Sequence, residues 1–223
     1  VDQTLVKKLG VLGSGLMGHG ITYVSALSGI EVVMTDSSQE NAEKGLSRIK
    51  DILHDSVKLG RTTQENAEKI LNRITATDDY NNLQDCDLII EAVFEDRDLK
   101  GQVTAQAEKI MDENGTFASN TSTLPISGLA EKSIRPEKFI GIHFFSPVHK
   151  MKLVEIIKGE KTNDETIAKA FDYVLKIRKI PIVVNDSRGF YTSRVFSTYT
   201  NEGLALLAEG NHPLETESAG KKA

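Results

Sequence analysis

Cysteine is nearly absent from this chain of 223 residues, and the single Cys86 rules out any internal disulfide. A disulfide-stapled secreted scaffold is thereby excluded, and a reducing, cytoplasmic setting is the simpler expectation. Cys86 stands between Asp85 and Asp87, whose charges oppose a thiolate, so no cysteine chemistry is expected. No apolar run approaches the ~18 residues that a membrane-spanning helix needs. No basic stretch followed by an apolar one opens the chain, so no signal peptide is visible. The first residue is Val1 rather than methionine, which suggests processing or excision from a longer protein. Basic excess is lacking too: the net charge is −5, which argues against a nucleic-acid partner. There is no repeat of fixed period and no low-complexity tract, and no metal site is expected.

What the chain does have is alternation. Short apolar runs at residues 8–12, 31–35, 74–77, 87–93, 116–119, 139–145, 151–157 and 180–184 read as strands. Longer amphipathic stretches at 16–28, 99–112 and 164–177 read as helices between them. This is the βαβ pattern of an α/β protein with a doubly wound, mostly parallel sheet. A helical excursion over about 39–72 is broken at "KLGRTT", where Gly60 can end one helix and Thr63 can cap the next. It is too long for an ordinary crossover, and either a structural helical pair or a substrate-facing lid would account for it. After "NDSRGF" the strands stop, residues 191–207 are helical, and "PLETESAGKKA" starts another helix. Residues 1–186 are therefore expected to form one domain, and 187–223 the truncated start of an all-helical second one.

The segment "GVLGSGLMGHG" carries Gly13-x-Gly15-x-x-Gly18 between the first strand and the first helix. A second strand then ends at Asp36, eighteen residues after Gly18. That context makes the glycines a Rossmann-like dinucleotide turn. Gly13 permits the tight turn, Gly15 lets backbone approach a pyrophosphate, and Gly18 allows the helix to pack on the strand. Helix N-terminal N–H groups favour the phosphates. Asp36 can accept from a ribose 2′-hydroxyl and would repel a 2′-phosphate; Ser37 and Ser38 follow it instead of arginine, so NAD is favoured over NADP. The motif alone leaves FAD open, although no second flavin-type segment stands out.

Ligands of such sheets sit beyond the carboxyl ends of the strands, where three polar clusters fall. Glu95 and Lys100 follow the fourth strand, and serve equally well as an ordinary helix start. Asn120, Thr121 and Ser122 follow the fifth, and can be a simple capping turn. The third is "HFFSPVHKMKLVEI". His143 shares a strand face with Phe139 and Phe145, and Glu155 shares one with Met151, Leu153 and Ile157. A hairpin pairing residues 145 and 151 would set His143 diagonal to Glu155, within side-chain reach. Such a pair is either structural or a general base with its orienting acid. His149 falls in the turn and is expected to be exposed.

Taken together, "GVLGSGLMGHGI", "DLIIEAVFEDRDLK", "FASNTSTLPI", "GIHFFSPVHKMKLVEII" and "GFYTSR" resemble the NAD-binding part of L-3-hydroxyacyl-CoA dehydrogenases. The resemblance runs from residue 8 to about residue 210, and is strongest to the form within bacterial multifunctional fatty-acid oxidation proteins, the alpha subunit of that complex. It implies NAD-dependent oxidation of an L-3-hydroxyacyl-CoA to the 3-oxoacyl-CoA. It implies His143 as the general base, Glu155 as its orienting carboxylate and Ser122 as the partner of the reacting oxygen. It implies Leu16 and Met17, with the glycines and Asp36, as cofactor contacts, joined by Glu95, Lys100, Ser122 and Ser146. Ser146 and Ser193 each stand where many relatives have asparagine; at Ser193 that residue helps to hold the substrate carbonyl. An acyl-CoA substrate and a thiolase partner subunit are likewise implied, with CoA contacts on the 39–72 excursion. The family's C-terminal helical domain covers the acyl chain and forms the dimer. The fragment is thus expected to bind NAD, turn over poorly and remain monomeric, with an oligomeric parent. A short-chain 3-hydroxybutyryl-CoA dehydrogenase, a sugar-acid dehydrogenase on the same scaffold, and a non-catalytic NAD- or CoA-binding module are the alternatives.

Overall fold

The computed structural model describes residues 6–222. Eight strands form one sheet in the order β3-β2-β1-β4-β5-β6-β7-β8. They are β1 (Lys8–Leu12), β2 (Glu31–Thr35), β3 (Ile74–Thr77), β4 (Leu88–Glu91), β5 (Thr116–Ser119), β6 (Phe139–Phe144), β7 (Leu153–Lys158) and β8 (Ile180–Asn185). Every neighbouring pair is parallel except β6 and β7. β4, β5 and β6 are buried at every position, as strands covered on both faces must be.

Helices α1 (Leu16–Leu27), α2 (Gln39–Lys58), α3 (Gln64–Leu71) and α6 (Asp164–Lys176) cover one face of the sheet. Helices α4 (Arg97–Glu108) and α5 (Ile126–Ala130) cover the other. The Rossmann-like fold expected from the sequence is present, including the break in the excursion. Gly60 adopts φ +67° after α2, and Thr63 caps α3 by accepting from the Asn66 N–H at 3.2 Å. In α2, Ala42, Gly45, Ile49 and Leu53 are buried, so this helix carries part of the core. The sequence pattern did not show α5, which is only 5 residues long, and the fourth strand stops at Glu91 rather than at residue 93.

The β6–β7 hairpin corrects one expectation. Pairing of 145 with 151 would leave His143 diagonal to Glu155, but the register is Phe144↔Val154 and His143↔Glu155, directly opposite. The connection is longer than a tight hairpin turn. Lys150 and Met151 N–H groups both turn back onto the Pro147 carbonyl. The buried Lys179 ammonium donates to the Val148 carbonyl at 2.6 Å and the Met151 carbonyl at 2.5 Å. Those bonds occupy the loop backbone, so the ladder begins only at Phe144. Beyond β8, Phe190 is fully buried in the core beside α4 and α5. Then α7 (Tyr191–Ala208) and α8 (Pro213–Lys222) run without a buried residue.

Candidate active site

β1 pairs with β2 on one side and β4 on the other, so the crevice at its carboxyl end is the switch point where such sheets take ligands. The three glycines of the turn after β1 meet different constraints. Gly13 has φ +95°, and a Cβ there would lie 2.8 Å from the Ala92 carbonyl oxygen. A Cβ on Gly18 would collide with the Gly13 carbonyl. Gly15 faces open space, with nothing within 4 Å of a Cβ. It is also the N-cap of α1, which has no side-chain cap and no acid in its first turn. By contrast, Ser38, Thr63, Asp96 and Asn163 cap α2, α3, α4 and α6. An open, uncapped helix N-terminus beneath a glycine fits a dinucleotide's diphosphate.

Asp36 latches this turn. Its Oδ2 accepts from the Ser14 N–H at 2.7 Å and the Ser14 hydroxyl at 2.6 Å. Its Oδ1 accepts from the Ser37 N–H at 2.7 Å and hydroxyl at 3.1 Å. Burial pushes this carboxyl up, but those donors outweigh it and hold the group below the usual range. Four donors fill the roughly four lone-pair sites of a carboxylate. A ribose hydroxyl therefore gains Asp36 only by displacing a serine hydroxyl, and both hydroxyls can rotate away.

Beyond β4 a charge cluster, buried at Lys100 and Glu91 and open to solvent at Glu95, governs the serine turn. Lys100 is 2 % exposed and its ammonium lies 2.9 Å from Glu91 and 3.3 Å from Glu95. Glu91, itself buried, also accepts from the Ser119 hydroxyl; its burial pushes it up despite the lysine. Glu95 accepts from the Thr121 hydroxyl, from the Ser122 N–H at 3.1 Å and from the Thr123 hydroxyl at 3.2 Å. Burial raises Glu95, and these bonds with the Lys100 charge reverse that, leaving it below the usual range. The carboxylate of Glu95 thus gathers the backbone and hydroxyls around Ser122, and Lys100 holds Glu95 from behind.

His143 and Glu155 are a contact pair: Nδ1 to Oε2 is 2.7 Å, with both residues buried. The imidazole sits between Phe145, 4.5 Å between ring centres, and Phe190 at 5.9 Å. Glu155 is fully buried. Burial alone would raise it, but donors from His143 and Thr192 overcome that and keep it below the ordinary range. An ionised carboxylate can only accept, so the contact requires the proton on Nδ1, and in the neutral imidazole Nε2 is then the free acceptor. The Asn120 side-chain oxygen accepts from the Phe144 N–H at 2.9 Å, tying the β5 turn to the strand that carries His143.

These side chains group into three cavities. Gly13, Gly15, Leu16, Met17 and Asp36 line one of about 710 Å³. Met17, Glu95, Ser122, His143 and Ser146 line another of about 340 Å³. Met17, Ala92 and Val93 belong to both, so the two adjoin. Ser193 lies apart from His143, in a cavity of about 690 Å³ with Thr123, Arg97, Arg188 and Arg194. Lys100 and Glu155 line none of the three and act from beneath. The sequence reading missed Glu91 and Thr192 as supporting residues, and it named Asn120 only within the polar cluster after β5. For Glu91 a signal existed: it is a charged residue inside an apolar strand run. His149 is exposed, as expected, and Cys86 is buried, with its thiol pushed up to about 12 chiefly by desolvation. Among the described residues no group of three or more His, Cys, Asp or Glu could hold a metal. No helix among them is long and apolar enough to cross a membrane.

A doubly wound sheet with an open glycine turn at its switch point, and a buried His–Glu pair next door, is the arrangement of an NAD-binding domain of a dehydrogenase. The particular lineage is equally clear. Residues 8–187 match the family described as "3-hydroxyacyl-CoA dehydrogenase, NAD binding domain", and the chain belongs to it. The chain is 45% identical over 205 residues to the fatty acid oxidation complex subunit alpha of Idiomarina loihiensis, covering 92% of this chain and 29% of that protein. It therefore spans less than a third of that relative's length. The crystal structure of (S)-3-hydroxybutyryl-CoA dehydrogenase from Ralstonia eutropha superposes with a TM-score of 0.92 at 37% identity, over 95% of this chain and 75% of that one. The 3-hydroxybutyryl-CoA dehydrogenase structure from Escherichia coli gives 0.89 at 33% identity, over 92% of this chain and 43% of that one.

Proposed function

We propose that this chain is the NAD-binding and acid–base half of an enzyme that oxidises L-3-hydroxyacyl-CoA to 3-oxoacyl-CoA. The observation that carries the reading is the buried His143–Glu155 pair, 2.7 Å apart and facing the cavity that holds Ser122. Glu155 fixes the imidazole with Nδ1 protonated, and Nε2 takes the proton from the substrate hydroxyl. The Ser122 hydroxyl, placed through Glu95, holds the reacting oxygen. Bound NAD supplies a two-electron hydride acceptor. The first-turn N–H groups of Leu16 and Met17, with Gly13, Gly15 and Gly18, would hold its diphosphate, and Asp36 its adenosine ribose. Ser146 lines the smaller cavity and is suited to the carboxamide end. Ser193 would steady the substrate carbonyl once the second domain closes over its cavity.

Residues 1–186 form the sheet domain in this reading, and 187–223 open a second, helical one. The absence of any buried residue in α7 and α8 supports that division. The complete protein is read as a multifunctional, cytoplasmic, oligomeric enzyme with a thiolase partner subunit; the name of the Idiomarina relative, subunit alpha of a fatty acid oxidation complex, supports a partner subunit. A short-chain 3-hydroxybutyryl-CoA dehydrogenase is the second reading, favoured by the 0.92 superposition on the Ralstonia structure. NADH formation with 3-hydroxyacyl-CoAs of graded length separates them, measured on the protein with its complete second domain. His143→Ala should lose ~10²–10⁴-fold in rate while NAD binding is kept. Retention of more than a tenth of the rate, on the order of one pKa unit's worth of free energy, would remove His143 from the mechanism.

A further inference from the structure

We propose that Thr192 is a positioning residue for the His143–Glu155 pair, so that the first turn of α7 completes a site otherwise built on the sheet. The inference rests on the reading of that pair as the acid–base machinery. α7 begins on Phe190, which offers no side-chain cap. The missing acceptor is supplied from across the fold. Glu155 Oε1 accepts from the Thr192 N–H at 2.8 Å, and Oε2 accepts from the Thr192 hydroxyl at 2.8 Å. Oε2 is also the atom that accepts from His143 Nδ1, at 2.7 Å. The carboxylate thus cannot rotate without breaking bonds at both oxygens, and its charge lies at the helix end that favours an anion.

The hydroxyl has two separate effects. It fixes the plane of the carboxylate, and hence the direction of the imidazole. It also draws charge from the oxygen that faces the imidazole proton, which weakens that oxygen as an acceptor for Nδ1–H. Phe190, fully buried and 5.9 Å from the His143 ring, seats the start of α7 against the same pair. Thr192 lies beyond residue 187, where the matched NAD-binding segment ends. A side chain outside that segment therefore tunes the pair at its centre.

Valine keeps the shape of Thr192 and its backbone N–H but removes the hydroxyl; serine restores the hydroxyl. The chain, labelled with ¹³C at the glutamate side-chain carboxyl, is titrated by NMR and the Glu155 midpoint compared. Thr192→Val should raise that midpoint by about half a unit to one unit. It should also move the His143 Nδ1 proton downfield, and Thr192→Ser should return both towards the parent values. Thr192→Ala gives the same comparison if valine disturbs the helix. An unmoved Glu155 midpoint and an unmoved Nδ1 proton in a folded, hydroxyl-free variant overturn the proposal. The two readings fail separately. A shifted midpoint together with full activity of His143→Ala leaves the Thr192 contact standing and removes the mechanism. An unshifted midpoint with an inactive His143→Ala does the reverse.

Discussion

Lys100 shows how one side chain can serve a site without lining it. Its ammonium is shut away from solvent with the Glu91 carboxylate, while Glu95, its second partner, stays open to solvent; removing the lysine would leave Glu91 as a buried, uncompensated charge. Breaking a buried pair in this way destabilises by ~3–5 kcal/mol. Lys100→Met should therefore lower the urea midpoint markedly, and the double change Lys100→Met with Glu91→Leu should recover most of it. The glycines divide along similar lines. Gly15→Ala adds a methyl to open space, so the fold should hold within about 1 kcal/mol while NAD affinity measured by calorimetry falls about tenfold or more. Gly18→Ala drives a methyl into the Gly13 carbonyl and should destabilise the fold itself, by ~1–3 kcal/mol or beyond.

At the scale of elements, most of the sheet was legible. Short apolar runs bounded by polar residues mark β1, β2, β3 and β5 to the residue; β5 is buried throughout and β1 and β2 at every position but the first, while the edge strand β3 is only partly buried. The β6–β7 register was not legible, since a loop gripped by Lys179 from a distant turn leaves no local pattern. For the same reason Thr192 escaped notice: its partner lies 37 residues away and only folding brings them together. Glu95 and Lys100 were visible as candidates, but a sequence cannot say that one of them stands behind the other. The depressed carboxyls around the cavities make a pH prediction. Asp36, Glu95 and Glu155 all lie below their ordinary values when folded. Their contribution is complete above the unfolded values of 3.8 and 4.5 and is lost as pH falls through the depressed folded ones. Glu91 is raised and works in the opposite sense. The three depressed groups each make urea stability fall on acidification, and Glu155→Gln should remove the part of that fall that Glu155 supplies.

For the whole molecule, the proposed division into a sheet domain and a helical one is not a clean place to cut. Phe190 belongs to the core beneath α4 and α5, although it lies after the last strand. A chain ending at residue 186 loses that ring as well as the α7 contact with Glu155. Removing a buried phenylalanine costs about 3–5 kcal/mol, so the shortened chain should melt well below the parent in a thermal scan. An unchanged midpoint would show that the start of α7 contributes nothing to the sheet domain.

The adjoining cavities share a rim of Met17, Ala92 and Val93. In the proposed arrangement one ligand lies across that rim like a saddlebag, with a load on each side and a flexible strap between. Neither half need bind tightly by itself, because once one is seated the strap presents the other at an effective concentration on the order of millimolar. The two separated halves, added together but unlinked, should therefore occupy the chain far more weakly than the joined dinucleotide. Residues along the rim would govern that difference while barely changing the affinity for either half.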